Sequence, residues 1–419
     1  MHVSGQLGGK SGMSSPQLTL SAPNAAETRM IASVSAAHFV SHFYFLVLPP
    51  LFVPFVQTEY GLSYTGLALP LTVFAIVSAI FQTPAGLLAD RIGPLAVLVA
   101  GLVLGAVSFA LIGLVHSYWF LVAMFAFAGL ANTVYHPADY ALLSHHIAGE
   151  RMGSAFSIHT FAGMLGGAVA PATILFTQTL VGWRGAFLLA AALGLAVAIA
   201  LLLLREDFAD GPHHAAKARA KEGATVDRRK LLLSWPILAS FAFFTMQAAT
   251  GVGIMNFGPI ALQALFNVPI ELGNVALSTS LLLGAIGVLA GGLAVTRVRS
   301  QQAFAAFGLF VAGIGILLVG IADFGTAMLI TLMGINGFAS GIIMPSRDLL
   351  VREVTPPGAF GTVFGFVTTG FNVAGVAFPL MFAALLDHAM PRTVFVLSAV
   401  FCLLSILTVI TVRARKPFA

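Results

Sequence analysis

Long apolar stretches, repeated along the whole chain, are the feature that most constrains its fold. A helix needs about 20 apolar residues to cross a bilayer core of about 30 Å. Only 8% of the 419 residues are Asp, Glu, Lys or Arg, too few to cover a water-exposed surface of this size. We therefore predict an all-α membrane protein with twelve transmembrane helices. The predicted segments are 30–56, 63–88, 95–115, 118–144, 152–178, 183–204, 232–264, 271–295, 302–321, 324–346, 358–386 and 392–412.

The basic residues are distributed unevenly between the two sets of loops. With the N-terminus placed inside, seventeen Lys and Arg residues fall in the cytoplasmic segments and only Arg184 and Arg392 in the outer loops, with Arg347 counted as intramembrane. This distribution follows the positive-inside rule, and residues 1–29 lack the apolar core of a signal peptide. We therefore predict a multi-pass protein of the inner membrane with cytoplasmic tails at 1–29 and 413–419. The positive net charge then needs no nucleic-acid partner.

A polar segment, 205–231, divides the twelve segments into two sets of six and is predicted to be a cytoplasmic linker. The sets 30–204 and 232–412 repeat each other at an offset of 208 residues, the separation of Pro137 and Pro345. Repeated six-helix halves related by an axis along the membrane normal are an arrangement of transporters. We therefore predict two pseudo-symmetric six-helix halves. The same offset pairs Gly129 with Gly337, Asp139 with Arg347, Gly153 with Gly361, Phe156 with Phe364, Gly167 with Gly375 and Pro171 with Pro379.

The loop after the second segment carries Gly86, Asp90, Arg91 and Gly93 within the sequence GLLADRIGP. This stretch resembles the cytoplasmic signature of the major facilitator superfamily. The resemblance implies the major facilitator fold and a role for Asp90 and Arg91 in latching the cytoplasmic side during alternating access. The glycines of this loop permit close helix approach. The alternative interpretation is an ordinary tight loop that obeys the positive-inside rule.

A narrower resemblance rests on three stretches together: HFVSH at 38–42, VYHP at 134–137 and PSRD at 345–348. They are similar to the fosmidomycin-resistance-like branch of the superfamily. That resemblance implies a proton-driven exporter of small drugs. His42 and Ala138 stand where the branch leads us to expect acidic residues, so proton coupling would have passed to His42 and Asp139.

Histidines inside the predicted spans are further functional candidates, because ionisable groups are costly in the membrane. His38 and His42 lie four residues apart on one helical face, and imidazole titrates in the physiological range. We interpret them as proton carriers; neutral histidines hydrogen-bonded between helices are the alternative. The spacing would also suit a divalent metal ion, but we predict no metal site and no cofactor. His159 in the fifth segment is a third candidate.

Asp139 and Arg347 occupy equivalent positions in the two halves, and two interpretations of them remain open. The first is an interdomain salt bridge that closes the cytoplasmic side. In the second, Arg347 and His136 bind an anionic group while Asp139 or Asp348 exchanges the proton. Arg suits carboxylate or phosphonate through paired hydrogen bonds, which favours an anionic or zwitterionic substrate.

Polar residues of the seventh segment complete the set of binding candidates. Gln247 and Asn256 lie near Gly253, Gly258 and Pro259, which predict a local irregularity of the helix facing a cavity. The full set of substrate- or proton-binding candidates is His38, His42, His136, Asp139, His159, Gln247, Asn256, Arg347 and Asp348.

These patterns together predict a secondary active transporter that works by alternating access. We expect proton-coupled efflux of a small anionic or amphiphilic compound; proton symport or uptake of a small organic anion is the alternative. A non-transporting membrane receptor is an alternative of a different class. The sequence contains neither a G-x-x-x-x-G-K-[ST] nor an H-E-x-x-H motif, so we predict neither ATP-driven transport nor a metalloprotease, and no enzyme activity. The expected partners are the substrate, protons and the bilayer, and we expect a monomer.

Overall fold

The computed structural model describes residues 25–54, 59–147, 152–208, 228–294, 297–323, 325–356 and 360–411, and within these ranges it contains helices and no strand. The N-terminal half comprises α1 to α6: Ala25–Phe45, Tyr64–Ile92, Pro94–Leu114, Tyr118–Asn132, Tyr135–His146 and Met152–Leu203. The C-terminal half comprises α7 to α14: Trp235–Val252, Gly258–Phe266, Ile270–Ala294, Gln301–Ile321, Gly325–Ile342, Met344–Glu353, Phe360–Asp387 and Pro391–Thr411. Short helical turns lie at Pro49–Leu51, Phe52–Pro54, Arg205–Phe208 and Arg228–Leu232.

These helices form twelve spans, as predicted. Eleven helical runs in the described ranges are long and apolar enough to cross a membrane. One of them, Ala155–Leu203 in α6, has 49 residues, about twice the length that one crossing needs. Gly182 interrupts α6 with φ 75° and ψ 171°, so this run supplies the fifth and sixth spans. The predicted tails and linker lie mainly in 1–24, 209–227 and 412–419, outside the described residues.

The sequence repeat is also a structural repeat. The fourth span breaks between α4 and α5, just before Pro137, and the tenth breaks between α11 and α12, just before Pro345. Proline lacks the amide hydrogen of a helical turn and its ring crowds the carbonyl four residues earlier, so each span bends there. The paired glycines repeat as well, because a Cβ at Gly129 would lie 2.5 Å from Phe74 O and a Cβ at Gly337 would overlap Ser280 O.

The seventh span contains the predicted irregularity. A π-helical turn, Gly253–Phe257, separates α7 from α8, and Pro259 follows it. A side chain at Gly253 would overlap Ser398 Oγ, so the backbone of this turn packs directly against α14.

Two helix pairs join the halves along their length. Helix α2 packs against α13, and α6 packs against α9. Asn372 Nδ2 on α13 donates to Gln82 Oε1 on α2 over 2.9 Å.

Candidate functional site

Five ionisable side chains gather inside the N-terminal half. The ring of His38 on α1 lies 3.9 Å from that of His159 on α6, 4.7 Å from His42 and 5.3 Å from His136 on α5, measured between ring centroids. Asp139 lies one helical turn beyond His136, with Oδ2 3.6 Å from His38 Nδ1 and 3.7 Å from His159 Nε2. The structure thus brings together all five sequence candidates of this half. We call this group the His–Asp cluster.

Glycines on α6 make room for the cluster. A Cβ atom at Gly163 would overlap the ring of His38 and would come within 3.0 Å of His42. A Cβ atom at Gly166 would overlap the backbone oxygen of Phe39. Helices α1 and α6 therefore approach closely at these glycines, and the imidazoles of α1 occupy the space that a larger residue would fill.

Asp139 is completely buried, and neither of its carboxylate oxygens has a hydrogen-bond partner among the described residues. The same holds for His38 Nδ1 and for both ring nitrogens of His159. Burying an unpaired carboxylate is costly. The three side chains thus form a polar centre that no other described side chain supplies with a hydrogen bond.

Arg347 does not contact Asp139 in this conformation, so the interdomain salt bridge, one of the two interpretations that the sequence left open, is not formed here. Arg347 Nε instead donates to Asp348 Oδ1 over 2.8 Å, and its guanidinium lies 4.6 Å from the ring centre of Phe244. The physical reason is the course of the two bent spans: α5 turns Asp139 inward against α1 and α6, while the side chain of Arg347 packs on α7 of its own half.

Residues of both repeats face each other between the halves, because Tyr140 on α5 interacts electrostatically with Arg347 and Asp348 on α12. His136 is exposed, His42 is half-buried and the side chain of Arg347 is 19% exposed. Tyr140, which our sequence analysis missed, is 45% exposed; its ring lies 6.1 Å from that of His136 and 5.8 Å from that of His159. The signal was available, because Tyr140 follows His136 by four residues and the repeat pairs it with Asp348.

Gln247 and Asn256 lie away from the His–Asp cluster, in the seventh span. Gln247 Nε2 donates to Ser405 Oγ over 2.8 Å and so joins α7 to α14. Asn256 lies within the π-helical turn and is half-buried. The structure therefore gives Gln247 a packing contact within the C-terminal half, and a binding role for either residue stays a prediction.

The signature loop lies where α2 ends. Gly93 has φ 96°, a backbone conformation that glycine adopts without strain, and Arg91 is exposed. A Cβ at Gly86 would lie 3.6 Å from Pro137, so the loop region packs beside the bend of the fourth span. The side chain of Asp90 lies outside the described residues, and the latch stays a prediction.

Comparison with known protein families assigns this chain to one of them. Two overlapping stretches of the chain, residues 34–323 and 247–418, match the sequence profile of the Major Facilitator Superfamily. The chain belongs to the Major Facilitator Superfamily. Like other members of this superfamily, it is a multi-pass membrane protein built as a transporter.

Several curated members of the superfamily are similar to the chain. It is 27% identical to the "Probable sulfoacetate transporter SauU" of Cupriavidus necator over 80% of this chain and 82% of that protein. It is 23% identical to the "Fosmidomycin resistance protein" of Escherichia coli over 91% of this chain and 92% of that protein. It is also 27% identical to the "Multi-drug resistance efflux pump PmrA" of Streptococcus pneumoniae, over 80% and 83% of the two chains.

Solved structures share the fold. A bacterial homolog of the human lysosomal transporter Spinster, in an inward-facing and occupied conformation, superposes with a TM-score of 0.74 at 13% identity. The match covers 93% of this chain and 97% of the other. The twelve-helix architecture is therefore that of the superfamily.

Proposed function

We propose that this protein couples the movement of a small organic anion across the membrane to protons, by alternating access. The observation that carries the proposal is the state of Arg347. Among the residues that the structure describes, this intramembrane cation is held by the neighbouring Asp348 and by Phe244, and no ion pair with the opposite half is seen. Its guanidinium is therefore available to an anion that displaces Asp348.

Arg347 is suited to such an anion by its chemistry. A guanidinium binds carboxylate, sulfonate or phosphonate groups through paired hydrogen bonds. His136 is exposed on the N-terminal side of the same surface and supplies a second donor. The relatives named for sulfoacetate and for fosmidomycin resistance support an acidic substrate class.

Symport is one of the two transport modes that the sequence left open. In this mode a substrate anion would compete with the Asp348 carboxylate for the guanidinium of Arg347. We assign the proton to Asp139, the completely buried carboxylate of the opposite half. An anion at Arg347 and a proton at Asp139 would then cross the membrane together, which is proton symport of an organic anion.

Proton-coupled efflux of an anionic or amphiphilic compound, our first expectation from the sequence, is the second candidate. The support for it comes from the relatives named for fosmidomycin resistance and multidrug efflux. Both candidates use the same surface between the halves. They differ in whether the proton moves with the substrate or against it.

The deciding experiment uses purified protein in liposomes with a pH-sensitive dye inside and no pH gradient imposed. Sulfoacetate, L-galactonate, fosmidomycin and one cationic drug are added outside in turn. Symport of an anion acidifies the lumen, whereas exchange for protons makes it alkaline, and neither sign depends on how the protein is oriented in the liposome.

Arg347→Ala and Arg347→Lys variants, matched for reconstitution, are the controls. We expect the alanine variant to abolish the flux and the lysine variant to retain little of it, because lysine cannot form the paired contact. Saturable binding of a panel compound without any proton movement would support the receptor alternative instead. A flux of normal size in the Arg347→Ala variant would contradict the proposed anion site.

A further inference from the structure

We propose that His38, Asp139 and His159 form a binding site for one divalent transition-metal ion, coordinated by His38 Nδ1, Asp139 Oδ2 and His159 Nε2. The three side chains come from α1, α5 and α6, and each offers one ligand atom within 4.8 Å of the others. The site lies wholly in the N-terminal half, so it does not depend on which substrate the transporter moves.

The spacing of the ligand atoms suits a shared metal ion better than direct hydrogen bonds. The distances from Asp139 Oδ2 to the two histidine nitrogens are 3.6 and 3.7 Å. Hydrogen-bonded atoms lie about 2.7–3.2 Å apart. Two ligands of a tetrahedral zinc ion with bonds of about 2.0–2.1 Å lie about 3.4 Å apart. A contraction of a few tenths of an ångström would therefore complete the coordination.

The donor set points to first-row transition metals. Two imidazoles and one carboxylate are typical ligands of zinc, iron, cobalt and nickel ions. Calcium and magnesium prefer oxygen ligands, and more of them. Two neutral imidazoles and an ionised Asp139 would hold a dication, and the ion would compensate the buried carboxylate.

The burial of the three side chains and their lack of hydrogen-bond partners supply a separate argument. The side chains of His38, Asp139 and His159 are 6%, 0% and 1% exposed. The polar side-chain atoms of Asp139 and His159 have no hydrogen-bond partner among the described residues. The same is true of His38 Nδ1. Unsatisfied buried groups are rare in native proteins, and three that converge on one point are explained by a single ion.

The flanking histidines provide a route to the site. His136 is exposed on the surface between the halves and its ring lies 5.3 Å from that of His38. His42 is half-buried, with its ring 4.7 Å from that of His38. An ion entering from this surface would meet imidazole nitrogens before reaching Asp139.

The test measures metal binding by the full-length protein without substrate. The protein is purified without a histidine tag, in a His213→Ala/His214→Ala background that removes the adjacent histidines of the polar segment 205–231. After dialysis against Co²⁺ or Zn²⁺, we expect about one equivalent of metal to be retained. Bound Co²⁺ should give visible absorption bands, and metal should raise the melting temperature because it links three helices.

Variants separate this site from adventitious binding. Removing a residue that only hydrogen-bonds to a metal ligand costs about 10–100-fold in affinity. Asp139→Asn and His159→Gln each remove a ligand itself, so we expect them to lower the affinity for metal by at least about 100-fold. His116 lies outside the cluster, so the control variant His116→Gln should bind metal with the affinity of the parent protein. Equal retention by folded Asp139→Asn protein would overturn the site.

Folding of the variants is checked by size-exclusion profile and by metal-free melting temperature. If the ligand variants do not fold, the parent protein alone still decides the question. Cobalt bands with a stoichiometry near one support the site. If the parent protein shows no cobalt bands and retains no metal, the site is overturned. The cluster then keeps only the predicted proton role.

Discussion

At the scale of single residues, His38 lies at the centre of the His–Asp cluster. Its ring is a neighbour of the ring of His42 on the same helix and of the ring of His159 on α6. The contact of His38 with His159 spans 121 residues and required α1 to reach α6. Gly163 permits that approach, since its missing side chain leaves the space that the His38 ring occupies.

Gly163→Ala should therefore destabilise the protein, whereas Gly167→Ala on the same helix should not. A Cβ at Gly163 overlaps the His38 ring, but at Gly167 the nearest side-chain atom is Leu46 Cδ1 at 3.9 Å. Overpacking of this kind costs about 1–3 kcal/mol. In detergent, the melting temperature should fall for the first variant and stay equal or rise slightly for the second. Equal melting temperatures for both variants would show that α1 and α6 have room to separate.

At the scale of elements, three loops at one end of the N-terminal half are joined by Glu59. Its Oε1 accepts a hydrogen bond from Trp183 Nε1 over 2.9 Å, and its Oε2 lies 2.8 Å from His116 Nε2. Arg184 Nη1 lies 3.7 Å from Oε1, and the guanidinium stacks over Trp183. Glu59 thus links the segment before α2, the turn between α3 and α4, and the bend in α6.

The link should weaken in acid. The hydrogen bond from Trp183, with the nearby Arg184 and His116, lowers the pKa of Glu59. Its contribution to stability is thus present above the unfolded value of about 4.3 and is lost as the pH falls through the folded pKa.

Glu59→Gln should lower the melting temperature at pH 7 by about 1 °C for each kcal/mol that the link contributes to stability. The difference from the parent should shrink below about pH 4, because the parent then loses the same charge. Glu206→Gln, at an exposed position after α6, is the matched control and should have little effect. A constant difference between the Glu59 variant and the parent across this pH range would contradict the role of the charge.

At the scale of the whole molecule, Asp387 ties the two halves together at the end where α2 begins. Its carboxylate accepts hydrogen bonds from the backbone nitrogens of Tyr64 and Thr65 over 2.7 and 2.9 Å, and from Thr65 Oγ1 over 2.5 Å. The first amides of a helix have no partner within it, and they favour a negative charge. A residue of the C-terminal half therefore caps a helix of the N-terminal half.

Asp387→Ala should shift the protein toward conformations in which this end is open. Loss of a cap costs about 1 kcal/mol, a change of about fivefold in the ratio of two conformations. Spin labels at Thr179→Cys and Arg392→Cys, in a Cys402→Ser background, would report the distance between the halves. We expect a larger population at long distances for the alanine variant and an intermediate one for Asp387→Asn. An unchanged distance distribution would assign the cap to stability alone.

The sequence by itself determined the number of spans and the two pseudo-symmetric halves, which follow from the length of the apolar stretches and from an internal repeat. The bends before Pro137 and Pro345 have a local cause as well, the missing amide of proline, although we did not predict them from the sequence. The tertiary structure decided which charges meet. Equivalent positions suggested that Asp139 and Arg347 would pair, but the direction of each bend and the close approach at Gly163 send Asp139 to two histidines of its own half. Such contacts depend on how helices that are distant in sequence pack against each other, and local sequence patterns do not predict that packing.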